Sequence, residues 1–382
     1  MADAPAFPAI GAAIGTAIDA GVELLPDVPV SRSDEDLLGR APVAARLCEL
    51  ACAEPAGTPR VVALAGGAGA GKSSVLNLAA AMLQDRAGIA FVKLDGTGHA
   101  GAREMIEALL LQLMEFFSAQ DVVDTTDAVR DTLARYGGVI SGVARIAGVK
   151  VDLGGALARS ADDVRAEIAE MTQEIGTRIV ILLDHIDRLP GKEMAGMLVA
   201  LRHIAAIPYV SIVLTYDRRA AAMLPDDVLD QSGFERLVPV ELGLPSADRV
   251  LLARVLAGGL ARLAARTGKN LDDVLPLCDP DSPDGSPLLD LCETPRDTKR
   301  AINALAASLP LVPADADIGA AALDIVLRLQ VPVLDSPRLD QRTRVRDTAR
   351  AMLLSELDAA VAGHRLAGPA RAALRALFSG TV

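Results

Sequence analysis

Residues Arg60 to Asp85 read RVVALAGGAGAGKSSVLNLAAAMLQD. Val61 to Ala65 form an unbroken apolar run, as expected of a short buried strand. Lys72 to Gln84 holds no glycine or proline and reads as a helix. The loop between them is Gly66, Gly67, Ala68, Gly69, Ala70, Gly71, Lys72 and Ser73, which fits GxxxxGK[ST] in full. Strand, glycine loop and helix together are the setting in which that pattern binds phosphates. Glycines let backbone N–H groups wrap a phosphate chain, and the helix N-terminus adds positive potential. On this reading Lys72 reaches the β- and γ-phosphates, Ser73 ligates Mg2+ and Ser74 hydrogen-bonds the α-phosphate.

Further strands follow downstream. IAFVKLD (Ile89 to Asp95) is a second strand, and REMIEALLLQLMEFF a strongly apolar helix. The stretch from Tyr136 to Ala158 is glycine-rich, and a charged helix is expected from Ala161 to Ile175. RIVILLD (Arg178 to Asp184) is an apolar run between charged ends, as in strands buried on both faces. A helix from Lys192 to Ile207 leads to the strand YVSIVLTYD, and LVPVEL (Leu237 to Leu242) is the fifth. Pro245 marks a boundary, after which the pattern is helical to the end, broken by DPDSPDGSP and by further prolines. Upstream, a short helix is expected from about Ile10 to Leu25, and an amphipathic one within residues 34 to 53.

Composition narrows the classes. The 382 residues are 51% hydrophobic and only 2% aromatic, with no Trp. A core of Ala, Leu, Val and Ile favours helices and argues against aromatic platforms for single-stranded nucleic acid. The net charge of -12 disfavours nucleic acid and anionic membrane, although a local basic patch stays compatible with it. Cys48, Cys52, Cys278 and Cys292 form no CxxC pair and meet no zinc spacing. The first 30 residues lack a basic n-region, and no uncharged apolar run reaches about 18 residues, so no signal peptide and no transmembrane segment are expected. The expected location is cytoplasmic.

Several residues carry candidate chemistry around the phosphate loop. Asp184 ends a buried strand, where a carboxylate can hold Mg2+ through water. Many ATPases of this kind place an acidic residue next, to orient the attacking water; here the residue is His185. Its neutral imidazole can accept a proton, or it stands as a poor substitute; Asp187, two residues on, is an alternative. Thr215 ends a strand and is either a γ-phosphate sensor or an ordinary β-branched strand residue. Arg236 precedes the fifth strand, where ring-forming ATPases supply an arginine to a neighbouring subunit; the other reading is a solvated helix-end arginine. In TPRDTKRAINAL, Arg296, Lys299 and Arg300 share one helix face. That face either points at the triphosphate or is an ordinary solvated one.

DLLGRAPVAARL (Asp36 to Leu47), GGAGAGKSSVLNL, ILLDHIDRLP and ETPRDTKRAINAL together resemble the KAP family of P-loop NTPases over about residues 34 to 310. The resemblance implies that Gly39 and Arg40 help shape the nucleotide base pocket and that Asp184 is the Mg2+-binding Asp. It matches Asp187 and Arg188 to the family's closing DR. His185 departs from the family's second Asp. The family often carries membrane helices between the loop and Asp184; the interval here is long but holds no such span.

The expected fold is α/β: a five-stranded, mainly parallel P-loop NTPase sheet of the additional-strand type. The strands bearing the loop and Asp184 are separated by another strand, and an α-helical lid and a helical C-terminal region follow. The expected division is an N-terminal arm (1–33), a core (34–245) with a helical insert at about 103–175, a lid (246–310) and a C-terminal region (311–382). The implied function is an ATP-hydrolysing switch using ATP and Mg2+ within a larger assembly, through self-association or a protein partner. Bacterial members of the family are linked to anti-phage defence or signalling. The alternative is a nucleotide-binding scaffold with little hydrolysis because of His185. No GTP-selective NKxD element occurs, which leaves ATP as the default nucleotide.

Overall fold

The computed structural model describes residues 24–54, 60–99, 101–118, 166, 169–170, 173, 176–221, 237–283, 285–313, 315–334 and 347–379. The expected features at residues 10–23, 136–158 and 222–236 lie outside them, as does most of the expected helix at 161–175. The chain divides into two compact units, Pro29–Pro245 and the described parts of Met1–Val28 with Ser246–Val382.

The first unit is built on a five-stranded sheet: β1 (Arg60–Ala65), β2 (Ile89–Asp95), β3 (Arg178–Asp184), β4 (Val210–Tyr216) and β5 (Val240–Gly243). The spatial order is β2-β3-β4-β1-β5, and every neighbouring pair is parallel. The expected sheet is therefore present, with β4 standing between the strand that enters the glycine loop and the strand that ends at Asp184. The helix α1 (Ala41–Ala51) precedes β1; parallel strands need crossovers, and the described ones include α2 (Lys72–Gln84), α3 (Ala102–Ser118) and α4 (Gly191–Ile204).

Side-chain alternation along the strands explains why β3 is apolar at both odd and even positions. Ile179, Ile181 and Leu183 join Met105, Ile106 and Leu109 of α3 and Met197, Leu198 and Leu201 of α4. Val180 and Leu182 join Leu47 and Cys48 of α1 and Val75, Leu76 and Leu83 of α2. β1 divides the same way, with Val61, Ala63 and Ala65 on one face and Val62 and Leu64 on the other. Two helical layers thus bury both faces, as parallel sheets require.

Some boundaries differ from the sequence reading for local reasons. Residues 34–53 hold a 3-10 turn (Ser33–Glu35) and the shorter helix α1. Gly39 has φ 63° and breaks the run, and the Ala41 amide donates to Asp36 Oδ2 at 2.7 Å. β5 starts at Val240 rather than Leu237. Gly96, just past β2, permits a close approach: a Cβ there would lie 2.5 Å from the His185 carbonyl oxygen.

The second unit is helical: α5 (Arg249–Thr267), α6 (Pro295–Ser308), α7 (Ile318–Gln330), α8 (Asp347–Ala360) and α9 (Ala367–Ser379). Its helix starts are capped by side-chain oxygens. Asp248 Oδ1 accepts from the Val250 amide at 2.7 Å, Thr294 Oγ1 from Asp297 at 3.1 Å and Asp317 Oδ1 from Ala320 at 2.9 Å. Gln330 Nε2 donates to the Asp297 carbonyl at 3.1 Å, fixing α7 against the first turn of α6. No helix among the described residues is long and apolar enough to cross a membrane.

Gly96→Ala places a methyl group against backbone that has no rotamer to change. A loss of about 1–3 kcal/mol is expected, seen as a lower denaturant midpoint; an unchanged midpoint would refute the tight contact.

Candidate nucleotide and metal site

The site is assembled at the carboxyl ends of β1, β2, β3 and β4. The loop Gly66 to Gly71 connects β1 to α2. Its first residue is tied to the sheet, with the Gly66 amide donating to the Tyr216 carbonyl at 3.2 Å. Gly71 has φ 100° and occupies the N-cap of α2, a conformation that a side chain would strain. Lys72, only 7% exposed, turns back over its own loop: Nζ donates to the carbonyls of Gly66 at 2.8 Å and Gly67 at 3.2 Å. Burial lowers its pKa, while the carboxylates of Asp187, Asp217 and Asp184, in that order, oppose the shift.

Arg40 acts as a brace for the loop. It is 6% exposed, and its guanidinium donates to Ala70 O at 3.2 Å and Pro245 O at 2.9 Å. Burial lowers its pKa, opposed by Asp36. Gly39 supplies the left-handed turn that precedes Arg40 at the start of α1. Ser74 Oγ, expected at the α-phosphate, accepts from the Val30 amide at 3.1 Å.

Asp184, 2% exposed, is the buried charge of the site. Thr215 Oγ1 donates to its Oδ1 at 2.5 Å, and the His185 amide reaches the same oxygen at 3.0 Å. Thr215 is itself fully buried. His185 has φ 53°, one of two described non-glycine residues with positive φ. Its ring lies between the loop and the acidic residues. Nε2 is 3.2 Å from Ser73 Oγ; Nδ1 is 3.2 Å from Asp95 Oδ1 and 3.4 Å from Asp184 Oδ2. A carboxylate only accepts, so in this arrangement Nδ1 carries a proton, and in the neutral ring Nε2 accepts from the Ser73 hydroxyl.

Asp95 and Asp217 were not singled out in the sequence. Asp95 is the register partner of Asp184 across β2 and β3. Burial works against its charge, but hydrogen bonds from the Thr97 amide and hydroxyl, together with the His185 ring, hold its carboxyl below the usual range. The signal was present: IAFVKLD and RIVILLD end alike. Asp217 follows β4, and its amide donates to Asp187 Oδ2 at 3.0 Å. The other oxygen of Asp187 is buried with no hydrogen-bond partner among the described residues. Asp95, Asp184 and His185 each bring a ligand atom within 4.8 Å of the others.

The fit to a divalent cation is clear in the oxygens and altered by the nitrogen. Ser73 and Asp184 offer the oxygen donors that Mg2+ requires, but the imidazole stands between them. Arg236 lies outside the described residues. Arg296 and Lys299 of α6 are engaged within their own unit. Arg296 Nε pairs with Asp27 Oδ2 at 2.9 Å, and Lys299 Nζ donates to the Pro26 and Val28 carbonyls at 3.1 and 3.4 Å. Asn303 completes this contact, accepting from the Leu25 amide at 2.7 Å and donating to its carbonyl at 2.9 Å.

Residues 40–312 match the model of the KAP family P-loop domain. No curated protein matches the chain significantly. Among solved structures, the chain is similar to the ORC2 protein of Aeropyrum pernix in its ADPNP–ADP complexes, at 12% identity and a TM-score of 0.37, covering 94% of this chain and 96% of that one. Cdc6p from Pyrobaculum aerophilum matches at 13% identity and TM-score 0.39, over 75% of this chain and 64% of that one. Domain III of the Thermotoga maritima replication initiation protein DnaA matches at 13% and 0.36, over 81% and 98%. At such scores nothing of those proteins transfers to this chain.

Asn303→Ala removes both side-chain bonds to Leu25. At about 1 kcal/mol per bond, the Leu25 amide is expected to exchange with solvent roughly tenfold faster or more. Unchanged exchange by mass spectrometry would show that residues 25–28 do not depend on α6.

Proposed function

The chain belongs to the KAP family of P-loop domains, and from that premise we propose that it is an ATP-hydrolysing conformational switch. The observation that carries the reading is the junction of the glycine loop, with buried Lys72, and the buried pair Asp184 and Thr215. Backbone amides of residues 66–73 and the start of α2 bind the phosphates, with Lys72 leaving its loop carbonyls for the β- and γ-oxygens. Arg40 holds the loop in shape through Ala70. Asp184 and Ser73 would hold a divalent ion, which would neutralise charge on the phosphates.

Asp187 is the group assigned to orient the attacking water. Both ring nitrogens of His185 already face other groups. Asp187 has a buried, unpartnered oxygen, and it leads the charges acting on Lys72. A buried carboxylate oxygen without a partner is costly, and a water admitted with the nucleotide would satisfy it. Thr215 positions Asp184 and reports on the γ-phosphate through it.

The helical segment 246–310 reads nucleotide occupancy. Arg296 and Lys299 take part only once Asp27 and the carbonyls of Pro26 and Val28 release them. The output is a change of shape presented to another copy or to a protein partner, as in signalling or defence assemblies.

The test is phosphate release together with ATP affinity for the wild-type chain, Lys72→Ala and Asp187→Asn. Lys72→Ala is expected to lose ATP binding. Asp187→Asn is expected to keep binding and lose release by roughly 100-fold, the scale of a lost general base. If Asp187→Asn releases phosphate like wild type, the assignment of Asp187 fails. If the wild type binds ATP and releases none, the protein is a nucleotide-gated scaffold.

A further inference from the structure

We propose that Asp95, Asp184 and His185 form a mixed oxygen–nitrogen metal site that selects a first-row transition ion over Mg2+. Metal bonds of about 2.0–2.2 Å at right angles set neighbouring donor atoms about 3 Å apart. His185 Nδ1 lies 3.2 Å from Asp95 Oδ1 and 3.4 Å from Asp184 Oδ2, and all three ligand atoms fall within 4.8 Å of one another. Two of the three spacings are therefore already close to those that one ion requires.

Two further observations point the same way. Asp95 and Asp184 are register partners on adjacent parallel strands; like charges so placed repel, and a cation between them removes the repulsion. His185 holds a left-handed backbone that directs its ring into this place. An imidazole nitrogen adds little for Mg2+, which prefers oxygen, but it favours transition ions. With the ion on Nδ1, the ring proton moves to Nε2, and the ring then donates to Ser73 Oγ at the existing 3.2 Å spacing. The serine stays oriented, now with its own proton free to turn away.

The inference deepens the nucleotide reading and rests on it for the purpose of the ion, but it is measured without nucleotide. Mn2+ is titrated into the full chain, with free Mn2+ followed by electron paramagnetic resonance. Mg2+ and Zn2+ serve as competitors, and pulsed spectra report nitrogen bound to Mn2+. Mn2+ stands lowest in the transition series, so any preference for it is a lower bound. The expected result is nitrogen coupling in the wild type, Mg2+ needed in roughly tenfold excess or more to displace Mn2+, and Zn2+ displacing it readily. Coupling should vanish in His185→Asn, a residue type that tolerates the left-handed backbone. Mn2+ affinity should fall roughly tenfold or more in Asp95→Asn. Absence of nitrogen coupling in the wild type, or displacement by equimolar Mg2+, would overturn the assignment. ATP affinity in chelator, measured alongside, separates failure of the nucleotide reading from failure of the metal site.

Discussion

The buried carboxylate of Asp184 is the constraint on which the site depends. A charge that is 2% exposed is costly unless its oxygens are satisfied. The chain meets that cost with groups from two residues. Thr215 comes from β4, one strand over, and the His185 amide is offered by a left-handed residue. The His185 ring then links Asp184 to Ser73 on α2 and to Asp95 on β2. Sheet order makes this possible, because β4 lies between β1 and β3. The end of β4 can therefore serve both the loop strand, through the Tyr216 carbonyl, and the acidic strand, through Thr215.

Much of this was legible in the sequence because it is written in local pattern. The apolar run inside Arg178 to Asp184 predicted a strand buried on both faces, and its two faces do pack on separate helical layers. The glycine loop with its Lys–Ser pair placed a strand before it and a helix from Lys72 to Gln84, as found. What escaped was information held in register and in distant contacts. Asp95 becomes a neighbour of Asp184 only when β2 pairs with β3, and nothing within IAFVKLD alone says so. The role of Asp36 and Gly39 also needed geometry: one caps the Ala41 amide, the other turns the chain so that Arg40 is buried against the loop.

The basic face of α6 shows that charge read from a sequence is not always charge left available. Of the face read as Arg296, Lys299 and Arg300, the first two are spent, together with Asn303, on residues 25–28 within the helical unit. The first of these contacts is an ion pair with Asp27 exposed on both sides, which solvent weakens. The others are hydrogen bonds to backbone, each worth about 1 kcal/mol net. Such a contact is strong enough to order a short segment and weak enough to exchange for a more highly charged partner.

The most direct measurement of the central claim is hydrogen exchange on the full chain with and without ATP. The account predicts protection concentrated at the amides of residues 66–74 and at the strand ends near residues 184–187 and 215–217. Protection elsewhere, or none at saturating ATP, would contradict a nucleotide site at the glycine loop.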